Sequence, residues 1–424
     1  MTRISILLTT CLFVAGVFGT GSLSQAQYGP GAGGPPGYAP PMYGPPVGDY
    51  SNVGYQAMGG YEADGIHTRQ LPYDRGWGYE DTAADRLLKD VVSNTWIRID
   101  YLLWDIERPG DTLLGSPVVG IDNPRLPFDV AAGGVVIGQA RVADTNDIKL
   151  RNNNGIRGTV GISMTAGDFE ASVFGLETAK HTTIADDLPS PFPPDQGTFV
   201  ATSTLVNGAL GDNLFLYDNS YQVSFSSQVW GSEANFILNP EMEGEGLKIR
   251  PMGGFRYLNL QENMDQVGVY DSFGTIVPLV STIESRTNNN IYGPQVGIRT
   301  ELVHRWFTIA VEPKIMLGMN SYQDKVTTTA LRAFADPTVT TTASDTDVAA
   351  GAELGVNARI RLNDSIFLTV GYNLLWFGNV QRANEIIRYN DNGPLPTPPD
   401  VVTNPNRGDI RMQGLSVGGE ILLP

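Results

Sequence analysis

From Trp96 to the end of the chain, apolar and polar residues trade places at every second position in about ten short stretches. That period gives a strand one face for an apolar medium and one for a polar medium. In the first stretch Ile97, Ile99, Tyr101 and Leu103 share a face, with Arg98 and Asp100 on the other. Near 155–165, Ile156, Val160 and Ile162 oppose Arg157 and Thr159; near 169–177, Phe169, Ala171 and Val173 oppose Glu170 and Ser172. Near 221–238, Trp230, Ala234 and Phe236 oppose Glu233 and Asn235, and then Leu247, Ile249, Phe255 and Tyr257 oppose Lys248, Arg250 and Arg256. Val296 and Ile298 oppose Gln295, Arg299 and Glu301 near 291–302, and Phe307, Ile309, Val311 and Ile315 oppose Glu312 and Lys314 near 306–318. Leu354, Val356 and Ile360 oppose Glu353, Asn357 and Arg359 near 348–361, and a ninth stretch runs from Ile366 to near Gly378. In the tenth, Leu415, Val417 and Ile421 oppose Ser416 and Glu420.

The connections alternate. One–two, three–four, five–six, seven–eight and nine–ten are separated by roughly 25–45 residues, far above the hairpin norm, and the other four by only a few. Tight turns at one end and long loops at the other predict a closed antiparallel transmembrane β-barrel of about ten strands, with short periplasmic turns and long extracellular loops. An even strand number places both ends on the short-turn side, in the periplasm of a bacterial outer membrane. A propeller or β-helix would need a recurring sequence period, which is absent. A soluble sandwich is the alternative, although it has no use for the loop asymmetry. Trp96, Tyr101, Trp104, Trp230, Tyr257, Trp306 and Trp376 fall mostly toward strand ends, where interfacial girdles sit.

Ahead of the barrel the pattern changes. Residues 1–26 read as a secretory leader, with Arg3, an apolar run from Ile4 to Phe18, and Ser24-Gln25-Ala26 before Gln27. Cys11, the single cysteine, lies inside it, so the mature chain is expected to hold no disulfide or thiolate site. Residues 27–80, rich in Gly, Pro and Tyr, bury too little apolar surface to order themselves and predict a disordered linker. Within 81–94, residues 82–92 fit a short amphipathic helix; the barrel takes 95–424. The formal charge of −17, from 28 Lys+Arg and 45 Asp+Glu, argues against nucleic acid as a partner.

A membrane barrel turns its polar face inward. The charged residues expected there are Arg98, Arg157, Arg250, Arg256, Arg299, Lys314 and Arg359 against Asp100, Glu170, Glu233, Glu301, Glu312, Glu353 and Glu420, together with Lys248 and Glu177. The signs balance, and charges in a narrow tube must pair, so they predict a lumen charge network with at most a narrow leak. A selectivity filter would instead use rings of one sign. For catalysis or metal binding the pattern offers little. His67, His181 and His304 lie far apart in the chain, and only His181 has carboxylates near, Asp186 and Asp187, in a loop. Asp345-Thr346-Asp347 and Asn390-Asp391-Asn392-Gly393 carry fragments of a Ca²⁺ loop but not the full pattern. No catalytic residue, cofactor or metal site is expected.

Several segments resemble a β-barrel porin family abundant in planctomycete-type bacteria. They are Trp96-Ile97-Arg98-Ile99-Asp100-Tyr101-Leu102-Leu103-Trp104, Trp230-Gly231-Ser232-Glu233-Ala234-Asn235, Gly254-Phe255-Arg256-Tyr257-Leu258 and Asn290-Ile291-Tyr292-Gly293-Pro294-Gln295-Val296-Gly297. Gly371-Tyr372-Asn373-Leu374-Leu375-Trp376 and Gly414-Leu415-Ser416-Val417-Gly418-Gly419-Glu420 complete the set. The resemblance implies an outer-membrane barrel and supplies no catalytic residues. The chain departs from common outer-membrane strands in finishing Leu422-Leu423-Pro424 rather than on an aromatic residue. The expected activity is passive, a narrow pore for small solutes or ions in outer-membrane lipid. The alternative is a surface-display or adhesion barrel whose long acidic loops bind an external partner. Oligomeric state is not legible from the pattern.

Overall fold

The computed structural model describes residues 94–185, 197–240, 244–271, 277–393 and 397–423. The expected leader, linker and 82–92 helix lie outside them, as do Asp186 and Asp187.

In chain order the strands are β1 (Thr95–Ile106), β2 (Phe128–Ala132), β3 (Val135–Val142), β4 (Asn153–Met164), β5 (Gly167–Leu176) and β6 (Ala179–Ile184). There follow β7 (Gly197–Val206), β8 (Ala209–Tyr217), β9 (Ser220–Leu238), β10 (Gly246–Tyr270), β11 (Leu279–Val303) and β12 (Phe307–Thr329). The last six are β13 (Val339–Arg361), β14 (Ile366–Val380), β15 (Ile387–Arg388), β16 (Asn390–Asp391), β17 (Val402–Thr403) and β18 (Gly408–Leu422).

Ten of them close a ring in the order β1-β4-β5-β9-β10-β11-β12-β13-β14-β18, every neighbouring pair antiparallel. β1 seals it by pairing with β4 on one side and β18 on the other, from Trp96↔Leu422 to Ile106↔Met412. A closed ring leaves no edge strand, which lets a sheet stand in lipid with its backbone groups satisfied. These ten coincide with the ten stretches of alternation. The first and last ring strands start and end beside the short turns 165–166, 304–306 and 362–365.

Around that end the outward face is apolar: Ile97, Ile99 and Tyr101 on β1, Leu247 and Ile249 on β10, Ile309, Val311, Ile315, Leu317 and Met319 on β12 are all exposed. Trp306 and Phe307 stand at its turn-side border; Trp230 and Tyr257, with ring centroids 5.0 Å apart, stand at the other. Trp104 is a correction. It is 1% exposed and packs against Phe174 inside the ring, because it stands an odd number of positions from outward Tyr101.

A second correction concerns two long connections. β10 and β11 pair without interruption from Gly246↔Val303 to Tyr270↔Leu279, and β12 and β13 from Phe307↔Ile360 to Thr328↔Val339. Of the connection between β12 and β13 only 330–338 remains as a loop. Past Tyr257 and Tyr292 the faces exchange character. Gln261, Asn263, Glu284 and Arg286 now take the outer side, while Leu258, Leu260, Met264 and Ile283 are buried within. The strands therefore leave an apolar medium and continue as a water-facing barrel with an oily inside.

The other long connections fold. β2, β3, β7 and β8 form a small sheet with its own core of Val130, Ala140, Val142, Phe199 and Ala201, and β16 adds to β7. Its two hairpins turn on Gly133-Gly134 and Asn207-Gly208, all four at positive φ, the geometry of a two-residue primed turn. β6 extends the line of β5 along β9.

Candidate functional site: the interior of the ring

Nearest the short turns, the inner face is charged. β1 contributes Arg98 and Asp100, β4 Arg157, β5 Asp168 and Glu170, β9 Glu233, and β10 Arg250 and Arg256. β11 adds Arg299 and Glu301, β12 Glu312 and Lys314, β13 Glu353 and Arg359, and β18 Glu420. Each of the fourteen charged residues singled out from the pattern makes an ion pair here. Asp168 was missed because it sits in a turn motif, yet it shares the parity of Glu170 and meets Arg250 at 2.6 Å. Lys248 and Glu177 make no ion pair among the described residues; Glu177 lies beyond the end of β5 and accepts from Asn154.

Several pairs join strands that are not neighbours, so their side chains cross the interior. Arg299 on β11 grips Glu170 on β5 with two hydrogen bonds, 2.7 and 2.6 Å, and reaches Glu312 at 2.9 Å. Arg256 on β10 holds Glu233 on β9 and Glu353 on β13. Lys314 sits between the same two carboxylates, 3.1 Å from Glu233 and 3.7 Å from Glu353. Asp100 takes Arg98 at 3.4 Å, Arg157 at 3.2 Å and the Thr369 hydroxyl of β14 at 2.8 Å, and Arg359 meets Glu420 at 2.6 Å. Gln295 donates to Glu233 at 3.0 Å and to Asn235 at 2.6 Å. Space left among these groups is about 20 Å³, room for one or two waters. Thr159 Oγ1 and Asn373 Nδ2 are buried there without a hydrogen-bond partner among the described residues, the kind of atom such waters satisfy. Pairing at this density is a physical necessity, since a charge stranded in so little water costs several kcal/mol.

Farther from the turns the interior becomes apolar, which the charge pattern did not foretell. Leu102, Trp104, Phe225, Leu258, Leu260, Met264, Ile291 and Phe377 point in from the ring. Loop residues complete this core: Leu114, Ile148 and Leu150 from the first connection, Phe215 and Tyr217 from the second, Ile386, Tyr389 and Val401 from the last. The described residues 381–393 and 397–407, between β14 and β18, thus run as a strap inside the mouth. Arg382 anchors it: its Nε lies 3.0 and 2.9 Å from the two oxygens of Glu262, and its other nitrogens donate to the carbonyls of Asp409 and Glu107. Arg382 and Glu262 are almost wholly buried. Asn289 exchanges two hydrogen bonds with the Gln381 backbone, and Ser285 donates to the Ala383 carbonyl at 2.6 Å.

Among the described residues the remaining sequence candidates do not assemble. His181 lies on β6, 3.5 Å from the Thr183 hydroxyl, and His304 at a short turn at the other end. Asp391 is occupied by Arg332 at 2.9 Å and Asp347 by Arg407 at 2.6 Å, so guanidinium groups stand where a Ca²⁺ fragment was read. Among the described residues no group of His, Cys, Asp and Glu is arranged to hold a metal ion.

Among solved structures, the chain is similar to the outer membrane protease OmpT from Escherichia coli, with 9% identity, 78% of this chain and 97% of that one covered, and a TM-score of 0.37. It is also similar to OmpT of Vibrio cholerae, with 7% identity, coverage of 77% and 96%, and a TM-score of 0.14. A mutant of the monoaromatic hydrocarbon channel TodX matches at 8% identity, with coverage of 77% and 90% and a TM-score of 0.16. No curated protein matches. The model of one family spans residues 96–422, which is the whole ring, and by that match the chain belongs to the Putative beta barrel porin-7 (BBP7) family.

Proposed function

We propose that this chain is a bacterial outer-membrane barrel with periplasmic termini. It acts as a narrow passive channel for ions or small solutes, held shut in the described conformation by its own interior. The observation that carries this is the filled inside: an ion-paired layer with about 20 Å³ free, followed by an apolar core completed by the strap. The exposed apolar belt below Tyr257 and Met319 supports a lipid surround, because such a surface in water would drive aggregation. The porin description of the family supports reading it as a non-enzyme.

Planar-bilayer recording tests it. The parent barrel is expected to be quiet or to open rarely, and a variant with 382–406 replaced by a short linker is expected to give discrete, ohmic openings. A strapless barrel that folds and stays silent at several applied voltages overturns the channel reading. It would favour surface display instead, for which one observation speaks. The loops build a sheet with its own core and leave Leu126 and Val135 more than half exposed.

A further inference from the structure

On the outward side of β9–β13, the first positions beyond the lipid-facing band form an uncharged polar array. The band ends on Tyr257, Tyr292, Met319 and Val348, which lie level with one another in the strand register. Two positions farther along come Trp230, Asn259, Asn290, Ser321 and Thr346. Two farther again come Gln228, Gln261, Asn288, Gln323 and Ser344. Neither row holds a charged side chain, although charged residues are the commonest occupants of a water-facing surface. Gln228, Gln261, Gln323 and Ser344 are exposed. Asp324, next to Gln323, is buried on the inner face, so β12 keeps its alternation at this height. The carboxamides hold one another in place. Asn259 donates to Asn288 Oδ1 at 2.8 Å and to Asn290 Oδ1 at 3.0 Å, and accepts from Gln261 at 3.1 Å. The Tyr257 hydroxyl donates to Asn290 Oδ1 at 2.7 Å. Gln261 Oε1 and Asn288 Nδ2 are left over as an acceptor and a donor among the described residues.

The next row brings two cations side by side, Arg286 directly opposite Lys325, both exposed. Like charges in that relation destabilise a sheet unless a counter-charge sits with them. Glu284, 3.3 Å from Arg286, and Asp265 lie one row farther out; Lys325 makes no ion pair among the described residues. The cations therefore stand between the carboxylates and the uncharged rows. Depth then limits the partner. From Tyr257 to Asn263, which is level with Arg286, six residues of strand tilted by about 40° climb roughly 15 Å. The headgroup layer of a phospholipid leaflet is only about 5–7 Å deep. Sugar hydroxyls both donate and accept, as carboxamides do, and the C–H face of a sugar ring packs on an aromatic one. Trp230, 41% exposed and stacked near Tyr257, offers that ring at the foot of the array.

We propose that this face of β9–β13 docks the sugar headgroup of an anionic glycolipid. The acyl chains lie on the apolar band, the sugars on Trp230 and the carboxamide rows, and the anionic groups against Arg286 and Lys325. The inference rests on the outer-membrane reading given above. The unmodified protein in detergent micelles is titrated with rough-type lipopolysaccharide, a phosphorylated glycolipid, or with phosphatidylglycerol at equal charge, and bound lipid is counted by native mass spectrometry. The glycolipid should half-saturate the barrel at a mole fraction at least tenfold lower than phosphatidylglycerol does. Gln261→Ala/Asn288→Ala should weaken glycolipid binding about tenfold, as loss of two hydrogen bonds would, and leave phosphatidylglycerol binding unchanged. Arg286→Gln/Lys325→Gln should weaken it severalfold at low salt and little at high salt. Equal binding of the two lipids by the unmodified protein overturns the inference, and that comparison stands even if a variant misfolds. A folded Gln261→Ala/Asn288→Ala protein that binds the glycolipid as the parent does also overturns it. Either result in a barrel that still needs detergent to stay dispersed leaves the outer-membrane reading intact; a parent that is monomeric and folded in detergent-free buffer overturns both.

Discussion

Arg299→Met removes the cation that Glu170 and Glu312 share, and its cost follows from the geometry. The guanidinium meets the two carboxylates at 2.6 and 2.9 Å, with all three side chains only about a tenth exposed. At such separations and an effective dielectric of 20, unit charges attract by roughly 6 kcal/mol, and desolvation offsets much of that. The larger effect is what stays behind: two carboxylates facing each other across a space that holds one or two waters. Breaking a buried pair on one side costs about 3–5 kcal/mol, and stranding two anions puts this variant at the upper end. Urea unfolding in detergent micelles, followed by tryptophan fluorescence and the gel shift between folded and denatured bands, reads the change as a midpoint displacement at constant slope. Neutralising the stranded partners as well, in Arg299→Met/Glu170→Gln/Glu312→Gln, should recover at least half of the loss, since uncharged replacements of buried networks are often tolerated. A single variant within about 1 kcal/mol of the parent would refute the reasoning, given the 3–5 kcal/mol expected. So would a triple variant no more stable than the single one.

Glu262→Gln leaves Arg382 without its carboxylate and should loosen the strap first, seen as faster proteolysis within 381–407 before the ring unfolds. Asp324→Asn should stabilise the protein at alkaline pH: the folded acid is raised to about 7, so stability present at acid pH is lost as pH climbs to 7, by an amount on the order of a few kcal/mol that the amide retains. Thermal melting at pH 4 and pH 8.5 checks this, and equal shifts at both would refute it. Trp104→Ala should cost about 3–5 kcal/mol as a core truncation, while Trp230→Ala costs much less. Brominated lipid should quench single-tryptophan proteins retaining Trp230 or Trp306 and leave one retaining Trp104 bright.

The ten ring strands were legible in the chain because a strand between lipid and a charged interior must alternate at every position, and that signal survives without any alignment. Ile97, Ile99 and Tyr101 against Arg98 and Asp100 show it in five residues. The same parity put Arg98, Asp100, Glu170 and Arg299, which make ion pairs in the structure, on one face. Parity also misled. Trp104 was counted with the girdle by its residue type, when its position number alone sends it inward. Beyond Tyr257, polar Gln261 and Asn263 took the outer side, and a reading tuned to lipid outside took continuous strand for loop.

What only the folded molecule decided is who meets whom. Sequence spacing carries no record that Glu170 reaches Arg299 or that Arg382 reaches Glu262, because the first contact crosses a closed ring between strands that are not neighbours and the second joins the strap to the ring wall. Nor does it record that loop residues such as Leu114, Tyr217 and Val401 share one core, since each loop alone has too few apolar residues to bury itself. Local alternation answers to the medium on either side of a strand and is written residue by residue. Closure of the interior depends on distances between distant segments, and those exist only once the ring has formed.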